Sequence, residues 1–270
     1  GYLIIPKGVI YKMTFNKPAA GEPEARFIGF ETANGSHILP PKRYLSKTTA
    51  QFLEHAPYCE RDLRLPQEPL HFDESGKFEV RIKSRDQVHR YYYKHHPCDV
   101  VGWDGCYYPY AFNIDDFSPI VGKHHMPPPT HQTFEGHNFV ICSFCPRLLD
   151  FHPQAIVLPY NHSNLDSDEV LYYVHGNYKA RRGIEVSSMT LHPQGIPHGP
   201  HPGTIEKSIG ATVTDELAVM CDTFRPLFPT QAALGLDDLA YPNSWEDDTV
   251  PGAPAKDAKP QGPKSANTWE

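Results

Sequence analysis

The stretch YNHSNLDSDEVLYYVHGNY, residues 160–178, places a histidine and a polar turn directly before an aromatic, β-branched segment. Valine and tyrosine favour a β-strand over residues 169–175, and the intervening SNLDSD consists mostly of turn formers. Because alternate side chains of a strand share a face, Tyr160 and His162 should point the same way. A hairpin of this length would bring His162 beside Glu169 on an inner face. The stretch therefore predicts a β-hairpin that presents an imidazole and a carboxylate together.

A second histidine-bearing turn follows in LHPQGIPHGPHPG, residues 191–203, and its best ligand candidate is His198. Two imidazoles and one carboxylate form the ligand set of non-haem Fe(II) oxygenases, which leaves three coordination positions for substrate and O2. Zinc accepts the same ligands. Glu169 opens the apolar run VLYYV, where a charged carboxylate is costly to bury unless it is paired or bound to a metal. The pattern therefore favours a metal site over a solvated surface pair.

Most of the chain shows alternating apolar and polar residues interrupted by its 28 prolines and 19 glycines. Such a pattern is typical of sandwiches and small barrels, so we predict an all-β fold. The predicted strands are Tyr2–Ile5, Val9–Phe15, Phe27–Glu31, Phe78–Lys83, Gln87–Tyr93, Phe139–Phe144, Ala155–Leu158, Glu169–His175 and Ala218–Asp222. Short helices are predicted at Ser46–His55 and Gln231–Leu239. Residues 32–77 should form a long arm between two β units, and residues 247–270 a disordered tail.

Composition and charge exclude several classes of protein. The net charge of −7 comes without any run of more than two Lys or Arg residues, so a nucleic acid is not an expected partner. Apolar stretches are far shorter than the roughly 20 residues that cross a bilayer. Six scattered cysteines do not form a disulfide framework, and no secretory segment is visible. We expect a cytoplasmic protein.

Three segments together resemble the homogentisate 1,2-dioxygenases. They are YNHSNLDSDEVLYYVHGNY, LHPQGIPHGP with the TIEKS that follows it, and GWDGCYYPYAFNIDDFSPI at residues 102–120. The resemblance extends over residues 1–245 and is strongest from 102 to 207. It implies an all-β bicupin, made of two double-stranded β-helix barrels, with a single Fe(II). It also implies a homo-oligomer built from trimers.

Under this resemblance the chain has three parts. Residues 1–101 are the remainder of a first, metal-free cupin barrel together with the crossing arm. A lone two-stranded hairpin, such as the one expected in GYLIIPKGVIYKM, is marginal in water, so this first barrel should be incomplete at its N terminus. Residues 102–246 are the catalytic cupin barrel, and residues 247–270 are the tail.

The resemblance also assigns roles to individual residues. It makes His162, Glu169 and His198 the ligands of Fe(II). His125 becomes the acid/base that shuttles a proton, with His124 and His131 as alternatives in the same segment, KHHMPPPTHQTFE. The remaining residues line the substrate pocket, and they are Tyr160, Tyr178 and His192, with Arg181 adding positive charge nearby.

The implied reaction is cleavage of the aromatic ring of homogentisate by O2, which gives maleylacetoacetate in tyrosine and phenylalanine catabolism. Three alternatives stay open at this point. The substrate could be gentisate or another hydroxylated aryl acid, because pocket residues rather than the ligands choose the ring substituents. The metal could be Zn or Mn in an isomerase that does not use O2. The protein could also be a non-catalytic binding bicupin.

Overall fold

The structure, a computed structural model, describes residues 1–18, 20–21, 25–33, 35–67, 71–98, 108–157, 160–176, 178 and 183–246. In this part of the chain, strands far outnumber helices, which confirms the predicted all-β fold. The strands are β1 (Tyr2–Ile4), β2 (Leu63–Arg64), β3 (Ser75–Ser84), β4 (Gln87–His95), β5 (Tyr110–Phe112), β6 (Gln132–Gly136), β7 (Phe139–Phe144), β8 (Arg147–Leu148), β9 (Asp168–His175), β10 (Met189–His192), β11 (Val213–Thr214) and β12 (Leu217–Thr223).

Helices in the described residues are short. They are α1 (Thr204–Ser208), α2 (Gln231–Leu234) and the 3-10 helices Lys42–Tyr44, Glu60–Asp62, Ile114–Asp116, Pro128–His131 and Tyr241–Trp245. Within the described ranges, no helix has the length and apolar character that a membrane span requires.

The chain forms two compact units. The first comprises Gly1–Ile120, Pro127–Cys145 and Val219–Cys221. The second comprises Val121–Met126, Pro146–Ala218 and Asp222–Glu270. The predicted boundary between barrels, at residues 101 and 102, lies outside the described residues, as does the predicted tail at 247–270.

The first unit contains three antiparallel arrangements. Strand β5 lies between β1 and β2, so that Phe112 faces both Tyr2 and Leu63. Strands β3 and β4 form a long hairpin that turns between Ser84 and Gln87. Strands β6 and β7 form a shorter hairpin with an irregularity in register near its open end.

Aromatic residues form the core of the first unit. The ring of Tyr58 lies 4.6 Å from that of Phe112, and the ring of Tyr2 lies 5.1 Å from that of Phe134. A buried tyrosine hydroxyl needs a hydrogen-bond partner. Tyr58 donates to the carbonyl oxygen of Thr133 at 2.5 Å, and the hydroxyl of Tyr2 lies 2.6 Å from that of Ser143. The aromatic core therefore satisfies these polar groups internally.

The second unit is organised around strand β9. It pairs antiparallel with β10, and this register places Glu169 opposite His192. Strand β9 ends at a sharp turn, where Gly176 has a φ of +101°. A Cβ atom there would lie 2.8 Å from the Cα atom of Glu216, so the position requires glycine. Strands β8 and β11 form a separate short pair.

The regular strands follow the sequence prediction closely. Phe139–Phe144 coincides with β7, and the predictions over 78–83, 87–93, 169–175 and 218–222 lie inside observed strands. The predicted strands Val9–Phe15 and Phe27–Glu31 are wrong. The predicted strand Ala155–Leu158 is also wrong over residues 155–157, and its Leu158 is not described. Most side chains of these segments are exposed. Exposure alone does not prevent a strand, because β4 is exposed throughout but pairs with β3; the three wrongly predicted segments have no pairing strand among the described residues.

The two predicted helices are also largely wrong. Residues 46–55 form turns. The Ser46 hydroxyl accepts the N–H groups of Thr48 and Thr49 as a helix cap would, but the chain then reverses, and the N–H of Ser46 donates to the carbonyl of Gln51 at 2.7 Å. Ala50, at a φ of +56°, then lies outside the helical region. The second helix stops at Leu234, before Gly235, rather than at Leu239, in keeping with the low helix propensity of glycine.

Candidate metal centre

Glu169 owes its position to the start of strand β9. Along this strand, Glu169, Leu171 and Tyr173 are buried while the residues between them are more exposed. Side chains two apart share a face, so the carboxylate lies on the same inner face as the apolar residues that follow it. Glu169 is only 7% exposed. A carboxylate held this deeply needs partners that offset its lost hydration.

The two histidines His162 and His198 are joined through the backbone. The N–H of His162 donates to the carbonyl of His198 at 2.9 Å, and the N–H of His198 donates back at 2.8 Å. This pairing requires the backbone segments around His162 and His198 to approach each other closely. A Cβ atom on Gly199 would lie 2.7 Å from the Cα atom of Asn161, so glycine is needed beside His198. The main chain alone therefore places both imidazoles together, with ring centroids 4.4 Å apart.

Both imidazoles have their tautomer set by a backbone carbonyl. Nδ1 of His162 lies 2.9 Å from the carbonyl oxygen of Tyr160, and Nδ1 of His198 lies 3.0 Å from that of Ile196. A carbonyl oxygen only accepts, so each Nδ1 carries the proton and each Nε2 carries the lone pair. Metal-binding histidines are oriented in this way. His198 Nε2 lies 3.7 Å from Oε1 of Glu169.

The Glu169 carboxylate is held at both oxygens. His192 donates from Nδ1 to Oε1 at 2.7 Å, and Asn164 donates from its side-chain amide to Oε2 at 3.1 Å. Burial raises the pKa of Glu169, but the hydrogen bonds and charges of His192 and His198 outweigh burial and hold the pKa well below its usual range. Glu169 is therefore an anion at neutral pH.

The loop that carries His198 is braced from two sides. Asp168 is buried, and its carboxylate accepts the N–H of Gln194 at 2.8 Å and that of Leu227 at 2.7 Å. On the other side, the indole N–H of Trp245 donates to the carbonyl of Gly199 at 3.1 Å. The Trp245 ring also stacks on His201 at 3.9 Å. These contacts fix the backbone on both sides of His198.

A second carboxylate, that of Asp222, lies within electrostatic range of the same centre. Burial, and after it the charge of Glu169, raise the pKa of Asp222 to about 7, while His198 acts in the opposite direction. Its Oδ1 atom is buried without a hydrogen-bond partner in the part of the chain that the structure describes. Asp222 is thus poised to gain or lose a proton near neutral pH.

The three predicted ligands fit one metal ion. Their donor atoms, taken from His162, Glu169 and His198, all lie within 4.8 Å of one another. Two imidazoles with Nδ1 bonded to backbone carbonyls and one ionised carboxylate are the donor set that Fe(II) and Zn(II) both accept. The site is therefore a possible metal centre, and the structure brings together the residues that sequence reasoning selected for it.

A cleft of about 290 Å³ adjoins this centre through Tyr160. The Tyr160 ring contacts the ring of His125 at 5.8 Å and that of His162 at 6.0 Å. Nδ1 of His125 lies 3.5 Å from Oδ2 of Asp150. Of the three candidate acid/base histidines, His124 lines the cleft beside His125, whereas His131 belongs to the first unit and packs against Phe144.

The other predicted pocket residues make structural contacts. Tyr178 is buried, and its hydroxyl donates to the carbonyl of Leu217 at 3.2 Å. His192 stacks on His198 at 4.3 Å while it binds Glu169. Arg181 lies outside the described residues. A role for Tyr160, Tyr178 and His192 in substrate binding stays a prediction.

Sequence reasoning missed several residues that shape the centre. Asn164 lies in the predicted turn, where an asparagine reads as a turn former rather than as a partner of Glu169. Asp168 ends the same predicted turn, where an aspartate also reads as a turn former rather than as a partner of backbone N–H groups. Asp222 gave a usable signal, because it is a carboxylate that directly follows the apolar run LAVMC.

Comparison with known proteins places these residues in context. The family described as "Homogentisate 1,2-dioxygenase C-terminal" matches residues 114–249, about half of the chain. A protein of Saccharolobus solfataricus named "Putative dioxygenase" is 39% identical over 246 residues, which is 90% of this chain and 61% of that protein. A homogentisate 1,2-dioxygenase of Rhizobium leguminosarum bv. trifolii is 31% identical over 175 residues, 56% of this chain and 37% of that enzyme. The chain thus spans less than two thirds of either relative.

Proposed function

The chain belongs to the homogentisate 1,2-dioxygenase family, and from this premise we propose that it is a non-haem Fe(II) dioxygenase that cleaves the aromatic ring of homogentisate to maleylacetoacetate. The observation that carries the proposal is the convergence of His162, Glu169 and His198, with both imidazole tautomers set by backbone carbonyls. The cupin-type, all-β fold of the family agrees with the strand-rich structure. The reaction would serve tyrosine and phenylalanine catabolism.

The residues have separable roles in this reaction. Bound Fe(II) would supply a Lewis acid for a substrate oxygen and a place for O2. Glu169 contributes the negative charge that offsets the cation, and His192 and Asn164 keep its two oxygens oriented. His125 has Nδ1 directed at Asp150, so its Nε2 is the atom that accepts a hydroxyl proton and later returns it.

The choice of aromatic acid depends on the cleft rather than on the ligands. Gentisate and other hydroxylated aryl acids could use the same three donors, because pocket contacts distinguish the ring substituents. We favour homogentisate because of the family match over residues 114–249 and the named relative from Rhizobium.

The direct test is anaerobic loading of the protein with Fe(II), followed by measurement of O2 uptake over a small panel of dihydroxyphenyl acids. We expect one O2 consumed per homogentisate and no activity in zinc-loaded protein. If O2 uptake occurs with gentisate but not with homogentisate, gentisate becomes the proposed substrate. Turnover by Zn- or Mn-loaded protein without O2 would favour the isomerase alternative.

A variant pair tests the metal site itself. His162→Ala should lose most bound iron, because it removes one of three donors. His175→Ala is the matched control, since His175 is an exposed histidine at the far end of the same strand, β9. Iron content is measured by elemental analysis of purified protein. If His162→Ala keeps its iron, the site is not the one proposed, and a non-catalytic binding protein becomes the better reading.

Assembly and compartment belong to the same proposal. We expect a homo-oligomer built from trimers in the cytoplasm. Cys59 and Cys98 are free thiols, which suits a reducing compartment.

A further inference from the structure

The cleft beside the metal centre carries cationic and hydrogen-bond-donating groups at its edge. Its lining includes Lys123, His124, His125, Asp150 and His152, together with apolar surface from Ala155 and Ile156. Its volume of about 290 Å³ lies at the small end of ligand pockets, which range from about 300 to 1,000 Å³. The cleft therefore suits a molecule with one aromatic ring and a short polar substituent.

The acidic and basic side chains of the cleft differ in their contacts. The one carboxylate of the lining, Asp150, is only 13% exposed and is directed at Nδ1 of His125. Lys123 also lines the cleft and is exposed, so its ammonium group can meet a ligand without displacing the pair of Asp150 and His125. A cation presented at the rim of a partly apolar cleft favours an anionic substituent on the ligand.

The Nε2–H group of His152 adds a second hydrogen-bond donor beside Lys123. The backbone N–H of Gln154 donates to Nδ1 of His152 at 3.1 Å, so Nδ1 accepts and the proton lies on Nε2. The backbone also holds the two residues close together, because the N–H of His152 donates to the carbonyl of Lys123 at 3.1 Å. Lys123 and His152 thus form a pair of donors at one edge of the cleft.

We propose that Lys123, assisted by His152, binds the carboxylate of the substrate and so selects aryl acids over neutral phenols. The ring would then occupy the apolar part of the cleft, between this edge and Tyr160, whose ring contacts the candidate ligand His162. Lys123 is a specificity-determining residue in this arrangement. The inference rests on the proposed function, because it names what distinguishes the substrates of that same site.

The test compares homogentisate with its methyl ester, which keeps the ring and both hydroxyls but lacks the negative charge. Dissociation constants are measured by calorimetry on the Fe(II)-loaded protein without O2. We expect the wild-type protein to prefer the acid. Lys123→Met should weaken binding of the acid about tenfold or more, since a hydrogen bond to a charged group is lost, and should change binding of the ester less than about twofold. Lys123→Arg should keep most of the preference for the acid.

Lys207→Met is the matched control, because Lys207 is an exposed lysine on α1 that does not line the cleft. Equal binding of acid and ester by the wild-type protein, or no binding of either, would overturn the inference, as would an unchanged preference in Lys123→Met. Because binding is measured without O2, the result for Lys123 does not depend on whether the protein cleaves the ring. Loss of the preference in Lys123→Met supports this inference even if no ring cleavage is found.

Discussion

Glu169 is held more firmly than its two partner ligands. Each histidine ring is fixed by one backbone carbonyl, whereas the carboxylate is bound at one oxygen by His192 and at the other by Asn164. A buried anion with two donors is pre-organised and does not have to reorient when a cation arrives. The affinity of the centre for metal should therefore depend on residues that do not touch the metal.

Asn164→Ala tests this dependence. The variant loses the hydrogen bond to Oε2, so we expect iron affinity to fall about tenfold to a hundredfold with little change in fold. Competition with a chelator of known affinity measures the effect. Ser163→Ala, in the same turn, is the control and should keep wild-type affinity. An Asn164→Ala variant with undiminished affinity would show that His192 alone orients the carboxylate.

Asp222 leads to a prediction about pH. Its pKa is raised from 3.8 to about 7 in the folded protein by burial and by Glu169, so the folded protein holds a proton that the unfolded chain releases above about pH 4. The stability from this group is fully present below that pH and is lost as pH rises through about 7. In metal-free protein, Asp222→Asn should remove a fall of about 2 kcal/mol between pH 5 and pH 8. Urea denaturation at both pH values measures it.

An outcome in which wild-type protein and Asp222→Asn show the same dependence on pH would mean that Asp222 is ionised throughout. A shift of the pH dependence on adding metal would agree with the position of Asp222, because a nearby cation favours the charged form of a carboxylate.

For single residues, the sequence was informative where a residue type suited to metal binding lies in a recognisable turn. His162 and Glu169 were selected from a predicted hairpin, but that hairpin is wrong: the backbone of His162 pairs with His198, and Glu169 lies opposite His192. His198 required a second turn with the right residue type. Asn164 could not be predicted, because its role depends on which atom faces it across the fold. Asp222 gave a local signal, a carboxylate after the apolar run LAVMC, but the sequence does not show that it lies near Glu169.

At the scale of elements, Asp168 connects three parts of the second unit. It lies at the start of β9 and accepts backbone N–H groups from Gln194, near the His198 turn, and from Leu227, after β12. Because both bonds use a buried carboxylate, they are stronger than bonds between neutral groups. Strand β9 therefore positions the second ligand turn as well as its own ligand, Glu169.

Asp168→Asn should lower the free energy of unfolding by about 2 kcal/mol, since an amide keeps only one accepting oxygen. Urea denaturation measures the loss. Asp166→Asn is the control, because Asp166 is exposed two residues earlier in the same turn. Equal stability of the two variants would mean that the backbone bonds to Asp168 contribute little. We also expect reduced iron content in Asp168→Asn, because the turn that carries His198 loses one of its anchors.

The elements themselves were predicted unevenly. Strands β7 and β9 were found because each contains a short apolar run rich in β-branched and aromatic residues, FVIC and VLYYV. Residues 9–15 alternate apolar and polar types but remain largely exposed. Alternation in the sequence does not reveal whether another segment covers these residues. The helix predicted over residues 46–55 is absent for a local reason, since the chain reverses at Ala50, whose φ is +56°, and the N–H of Ser46 pairs with the carbonyl of Gln51.

For the whole molecule, a bound metal would join segments that are far apart in the chain. The donors come from residues 162, 169 and 198, so one ion would join the turn before β9, the start of β9 and the turn that carries His198. Loading with Fe(II) at about 100 times its dissociation constant should add about 3 kcal/mol of stability, or roughly 6–12 °C in melting temperature. Treatment with a chelator should reverse the gain. His162→Ala should show no such response, and an equal response in that variant would place the metal elsewhere.

The all-β class followed from composition and alternation, which average over the whole chain and tolerate local errors. The arrangement into two barrels rests instead on resemblance, and its predicted boundary lies outside the described residues. The chain also spans only 61% of the Saccharolobus relative. Alternation in a sequence shows which residues face inward, but it does not show how many strands complete a barrel.

The stacking of Trp245 on His201 gives this protein a built-in optical reporter. The indole N–H is bonded to the carbonyl of Gly199, so a change at the neighbouring His198 alters the surroundings of the fluorophore. With the other two tryptophans, Trp103 and Trp269, replaced by phenylalanine, emission comes from this position alone. Addition of Fe(II) should then quench the fluorescence with the kinetics of metal uptake. Emission that stays constant while iron binds would mean that the indole does not sense the turn it contacts.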